Sequence, residues 1–265
     1  MKGKKAENIK IVKKLSYTSL SIISFFVIIL AWCGLTYGGI LDKIFLPTPS
    51  SVIMATVNMV NDGTLASNIW SSTYRVLVGW ALSAILALPI GMLMACSKTF
   101  NAIIQPVIEF VRYLPVVALV PLTLLYLGIG EGQKYTIIFL GTFFQLVLMV
   151  ADTVSSVDKN LLNAARTLGA SPYQRYKLVL FPASLPGLMD SFRVTMGWAW
   201  TYLVVAEMVA ANSGLGYVIL KSQRFLATDK IFSGLILIGL IGLFTDLIFR
   251  AITKIVVPWH ERLGD

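Results

Sequence analysis

A chain of 265 residues that is 57% hydrophobic and only 13% charged falls outside the ordinary soluble class, where about 25% of residues are charged. It reads as an integral membrane protein forming one domain over residues 1–265. Its net charge of +9 does not point to nucleic acid, because the lysines and arginines gather at the ends of apolar blocks. Cys33 and Cys96 lie in or beside such blocks and fit small buried hydrophobes rather than a disulfide or metal framework.

Taken in order, the chain begins with six lysines and Glu7 before Leu15, too long and mixed for the start of a signal peptide. The apolar run at about 15–37 is long enough to cross a hydrocarbon core of about 30 Å. A polar connection follows, and within it Val52 to Val60 suit a short interfacial helix. Further spans are expected at about 70–96, 106–129, 135–154, 192–211 and 232–257. Pro89 and Gly91 predict a kink in the second span. Arg112-Tyr113-Leu114-Pro115 and Pro121 predict a break in the third, where Glu109 and Arg112 are spaced to pair.

Between the fourth and fifth spans lies a polar loop, 158–186. Asp158 suits an N-cap, and Gly169 suits the positive-φ residue that ends a short helix. Ser171-Pro172 suits the start of a second helix, which Pro182 would stop. The product is an elbow with small Ala164 and Ala165 on its first arm, open to close approach by another surface. With the elbow inside, fifteen of the 22 Lys and Arg fall in the cytoplasm and five outside: Lys43, Lys134, Lys221, Arg224 and Lys230. Both termini are then cytoplasmic.

Asn163-Ala164-Ala165, Gly169 and Val179-Leu180-Phe181-Pro182 resemble, at the same spacing, the Glu-Ala-Ala loop of bacterial ABC-importer permeases, with Asn163 in place of the leading glutamate. Arg112 to Pro121, Leu127 to Gly130, Val205-Ala206-Glu207 and Asn212 to Tyr217 are similar to the nitrate, sulfonate, taurine and bicarbonate branch. The resemblance implies an all-α, six-helix type I importer permease in the bacterial inner membrane. It implies coupling to an ATPase through Asn163, Ala164, Ala165, Arg166, Gly169, Ala170, Ser171 and Pro172. The implied partners are a second copy of the chain, two ATPase subunits holding ATP and Mg, and an extracytoplasmic binding protein. No cofactor is expected on this chain. A small anion is the implied solute, with a heterocyclic or aromatic molecule such as a pyrimidine precursor as the alternative.

No enzyme is expected. There is no phosphate-binding G-x-x-x-x-G-K-[ST] motif, and His260 stands without partners for metal or acid–base chemistry. Met196, Trp200, Leu203 and Glu207 form one stripe of the fifth span. They either line the translocation path or pack, with Glu207 bonded to a neighbouring helix. Asp246 and Arg250 are spaced to pair, while Gly239 and Gly242 suggest close packing. Arg75 reads as an arginine snorkelling to headgroups, with attraction of an anion second. An ATP-independent secondary transporter is the distant alternative, since no matched pair of broken helices is visible.

Overall fold

The computed structural model describes residues 2–259, and His260 with the rest of the polar tail lies outside them. The described residues form helices α1 (Lys2–Tyr37), α2 (Pro49–Asn61), α3 (Thr64–Cys96), α4 (Lys98–Arg112), α5 (Val116–Leu127) and α6 (Glu131–Ser155). They continue as α7 (Lys159–Thr167), α8 (Pro172–Arg175), a π-helical turn (Tyr176–Leu180), α9 (Phe181–Ala210), α10 (Leu215–Arg224) and α11 (Thr228–Val256). The short helix expected at 52–60 is α2, begun by Thr48, whose hydroxyl accepts from Ser51 N, and by Pro49 at its first position.

Three of these helices, α3, α6 and α11, are long and apolar enough to cross a membrane, and the bent pair α4–α5 supplies a fourth crossing if it counts as one span. Of the remaining expected spans, α1 contributes a shorter apolar stretch, Ile22–Tyr37. The other, α9, is long but carries Asp190, Arg193 and Glu207. The expected break falls at Tyr113–Pro115, where the axes of α4 and α5 differ by 97°. Pro121 does not break α5, and α3 runs on as one helix through Pro89. In α4–α5 the chain turns because Pro115 cannot donate and disfavours helix at Leu114.

The bundle is built on α6, which packs along α3 on one side and α9 on another. Small residues set the α3–α6 distance. A Cβ on Gly79 would lie 2.7 Å from Ile138, and one on Gly91 would lie 2.7 Å from both the Val147 carbonyl and Val150. Around these contacts, Ala87, Met92, Leu146, Val147, Val150 and Leu188 form one buried cluster. Val76, Ile138, Met196, Ala199, Trp200 and Leu203 form another. Outside this centre, the described end of α1 is tied to the α2 and α11 regions: Trp32 donates to Pro47 O at 2.9 Å and stacks on Phe232, and Tyr37 Oη donates to Ser50 Oγ at 2.8 Å. Phe25 and Phe26 are exposed, as suits a lipid-facing helix.

Other expectations change. Gly239 faces open space, whereas a Cβ on Gly242 would lie 3.9 Å from Trp200, an ordinary contact. Cys33 is half-buried and Cys96 exposed, so neither is a fully buried hydrophobe in the single chain. Replacing Gly91 with leucine forces the α3–α6 backbones apart and costs about 1–3 kcal/mol. The matched Gly239→Leu change meets no neighbour. Thermal unfolding in detergent should place Gly91→Leu well below Gly239→Leu, and equal midpoints would contradict the close-approach reading.

Candidate functional site

Three constructions distinguish this bundle: a charged network at one end, an exposed elbow at the other, and a cleft between them. The network starts from Arg75 on α3, which is buried. All five of its N–H groups have partners. Nε and Nη2 donate to the two carboxylate oxygens of Glu131 at 2.7 Å, and Nη1 donates to Glu207 Oε1 at 2.8 Å. The Ser213 carbonyl takes a second bond from Nη1 at 2.7 Å, and Ser213 Oγ takes one from Nη2 at 3.1 Å. A fork of this shape, facing two carboxylates, satisfies every donor that burial would otherwise leave unpaired.

Glu207 on α9 is fully buried and equally well served. Ser72 Oγ donates to it at 2.8 Å and, in turn, accepts from Leu215 N at 2.8 Å. Gly216 N donates to Glu207 Oε2 at 2.7 Å. The segment 213–216 can wrap the carboxylate only because two positions lack side chains. Gly214 sits at φ +111°, where a Cβ would collide with the Glu207 carboxylate, and a Cβ on Gly216 would lie 2.8 Å from Glu207 Cβ. Lys134, also buried, donates to Glu131 at 2.8 Å. One network therefore joins α3, α6, α9 and the entry to α10.

This corrects two expectations. Arg75 does not reach for headgroups; it is neutralised inside the protein. Met196, Trp200, Leu203 and Glu207 do share one stripe, but it faces the core: all four are buried, and Trp200 donates to Thr245 Oγ1 on α11. In the single chain the stripe packs inward, with Glu207 bonded to Ser72 and Arg75 of α3. Asp246 accepts from Arg250 at 2.8 Å as expected and from Arg193 as well. Glu109 does not pair with Arg112; it accepts from Gln105 at 2.7 Å.

At the other end, the elbow follows the expected local chemistry. The Asp158 side chain accepts from Asn160 N and begins α7. Gly169 turns the chain at φ +81°. Ser171 and Gln174 form a reciprocal capping box at the start of α8, with Pro172 at the first position. Pro182 does not stop a second helix. The chain passes through the π-helical turn into α9, with Phe181 N bonded five residues back to Tyr176 O. The wider turn absorbs the donor that Pro182 lacks. Tyr176 Oη donates to Met92 Sδ at 3.2 Å. Burial, with Cys96 a lesser influence, pushes its phenol up from the ordinary value. Neither α7 nor α8 has a buried residue, and Leu161, Leu168 and Tyr173 stand exposed.

The cleft lies where α4 bends into α5, closed behind by α6 and α9. It encloses about 290 Å³. Leu114, Val116, Leu119, Leu140 and Phe144 give it apolar walls, and Arg112, Gln145, Trp198, Thr201 and Tyr202 bring polar or amphipathic groups. Trp198, Thr201 and Tyr202 are the face of α9 opposite the buried stripe. Their i, i+3, i+4 spacing is the signal that could have found them. The Tyr202 ring lies on Gly141, where any Cβ would strike it.

A family model described as "Binding-protein-dependent transport system inner membrane component" matches residues 87–261. The chain belongs to this family of ABC permeases. Its members are non-catalytic membrane subunits. This permease is 37% identical over 249 residues to a probable ABC transporter permease protein of Brucella abortus, covering 94% of this chain and 98% of that one. It is 33% identical to a putative aliphatic sulfonates transport permease protein of Bacillus subtilis, covering 89% and 85%. With the taurine transport system permease protein of Escherichia coli the identity is 31%, covering 91% and 90%. Its fold is similar to a chain of the inward-facing MetNI methionine ABC transporter, with a TM-score of 0.65 and 20% identity over 73% of this chain and 96% of that one.

Removing the Glu207 carboxylate strands Arg75 with half its anionic partners. Breaking a buried pair in this way costs about 3–5 kcal/mol. Glu207→Ala should therefore unfold at a markedly lower temperature in detergent than the parent permease, with Gly214→Ala close behind. Parental stability in both variants would remove the network from its structural role.

Proposed function

We propose that this permease, paired with a second copy, forms the membrane path of an ATP-driven importer and is coupled through α7 and α8 to a separate cytoplasmic ATPase. The carrying observation is the elbow. Asn163, Ala164, Arg166, Gly169, Ser171 and Pro172 are exposed, Ala165 and Ala170 are half-buried, and no residue of α7 or α8 is fully buried. Leu168, 87% exposed beside the Gly169 turn, is an apolar side chain on a polar cytoplasmic loop, and a partner's groove would cover it. The ATP and Mg belong to that partner, as the chain has no phosphate-binding loop of its own.

The solute is a small anion. Relatives named for aliphatic sulfonates and taurine, each matched over most of its length, support this class; nitrate and bicarbonate are the smaller members of it implied by the sequence resemblance. An extracytoplasmic binding protein would deliver the solute. The positive-inside bias puts both termini and the elbow in the cytoplasm of a bacterial cell, on the ATPase side of the inner membrane.

The test is co-purification of the tagged full chain from its native membrane. An ATPase should come with it. Gly169→Val, which places a β-branched residue at a left-handed position, should lose both the ATPase and solute uptake at normal expression. Undiminished retention and uptake in that variant would sink the elbow's assigned role.

A further inference from the structure

Five basic side chains of the bundle have assigned partners, and they divide sharply. Arg75 and Lys134 are neutralised by Glu131 and Glu207, and Arg193 and Arg250 share the carboxylate of Asp246. Arg112 is different. Its guanidinium is held by neutral groups: Nη1 donates to Gln145 Oε1 at 3.3 Å, Nη2 donates to Tyr113 Oη at 2.9 Å, and Cζ lies 4.8 Å from the Tyr113 ring centroid. Among the described residues, none of the ion pairs includes it. No carboxylate lines the cleft it shares with Trp198 and Tyr202. Glu109, one turn before it, is drawn toward Gln105, which bonds Asn101 in its turn.

We infer that this cleft is a recognition site within the translocation path for small organic anions: an oxyanion head, sulfonate or carboxylate, carried on a short apolar body. This inference rests on the importer reading and names the solute class of its path. A guanidinium presents a planar fork that fits an oxyanion with two parallel bonds, and it cannot lose its charge. Gln145 already touches that fork, and Thr201 opens on the same cleft; both can bond an oxygen of the head.

The walls choose the body. Trp198, Tyr202, Phe144 and Leu119 surround the remaining space with apolar surface. A solute with a few carbon atoms buries that surface against them, whereas nitrate or bicarbonate has none to bury. A volume of about 290 Å³ lies at the small end of ligand sites. Gly141 is a positioning residue here, since its missing Cβ lets the Tyr202 ring form the floor.

The neighbouring cavity, about 180 Å³, shares Arg112 and Gln145 but is also lined by Glu109 and Asp152. It extends along α4 and α6 toward the elbow end. An anion leaving Arg112 in that direction meets like charge, which favours brief occupancy of the cleft over tight retention. Helix breaks at membrane depth are tolerated where the freed backbone lines a cavity, and this site occupies such a break.

The test is equilibrium binding of radiolabelled butane-1-sulfonate to the purified full chain in lipid nanodiscs, with nitrate and neutral butanesulfonamide as competitors. Saturable binding is expected. The unlabelled sulfonate should displace the label, nitrate should do so at least tenfold less well, and the amide should not. Arg112→Gln should weaken binding at least tenfold, Arg112→Lys should restore part of it, and Trp198→Ala should weaken the sulfonate without improving nitrate. An absence of saturable binding, or unchanged binding in Arg112→Gln with parental thermal stability, would overturn the inference. Equal displacement by nitrate would overturn the part assigned to the apolar walls. A chain that fails here yet retains its ATPase leaves the importer reading standing. One that binds the sulfonate but takes it up without an ATPase leaves the site and removes the coupling.

Discussion

The fold depends on burying Arg75. A guanidinium taken out of water inside a helix bundle is tolerated only if its charge and all its donors are met. Meeting them requires Glu131 from α6, Glu207 from α9 and Ser213 from the turn before α10, all within hydrogen-bond reach at once. That demand fixes three helices and a loop to one another at a single end of the bundle. Gly214 and Gly216 are glycines for the same reason: a side chain at either would occupy the space of the Glu207 carboxylate.

The opposite end is built on the contrary principle. There α7 and α8 begin on their own caps and bury no residue fully, with half-buried Leu162 as α7's apolar contact to the core. An element of this kind can be moved by a partner at little cost to the bundle. The cleft at the α4–α5 bend lies between the fixed end and the exposed end. Movement of the elbow reaches α9 through the π-helical turn without a loop to absorb it, and the cleft takes one of its walls from α9. The same helix buries Trp200 and presents Trp198.

Much of this was legible in the residues. The elbow was, because capping and turn chemistry are local: Asp158, Gly169 and the Ser171-Pro172 pair act within a few residues of themselves. The break at Pro115 was legible for the same reason. The face of α9 was not. Glu207 leaves path and packing equally open in the sequence because its neutralising partner, Arg75, lies 132 residues away. Arg112 is spaced to pair with Glu109 one turn away, yet it meets the adjacent Tyr113 and Gln145, 33 residues on. Pro182 was read as a stop because no single-sequence signal marks a π-helical turn that can absorb it. Long-range partners decide Arg75 and Glu207, whereas the local Asp246–Arg250 pair is legible in the sequence.

The central claim is that α9 turns its Trp200 stripe inward and its Trp198 face toward the cleft. It is tested most directly by labelling single cysteines with a hydrophilic thiol reagent in native membranes, after Cys33 and Cys96 are changed to serine. The account predicts that Trp198→Cys and Thr201→Cys react, while Met196→Cys and Leu203→Cys do not. Reaction at Met196 and Leu203 with silence at Trp198 and Thr201 would contradict it, and would return the path to the stripe that carries Glu207.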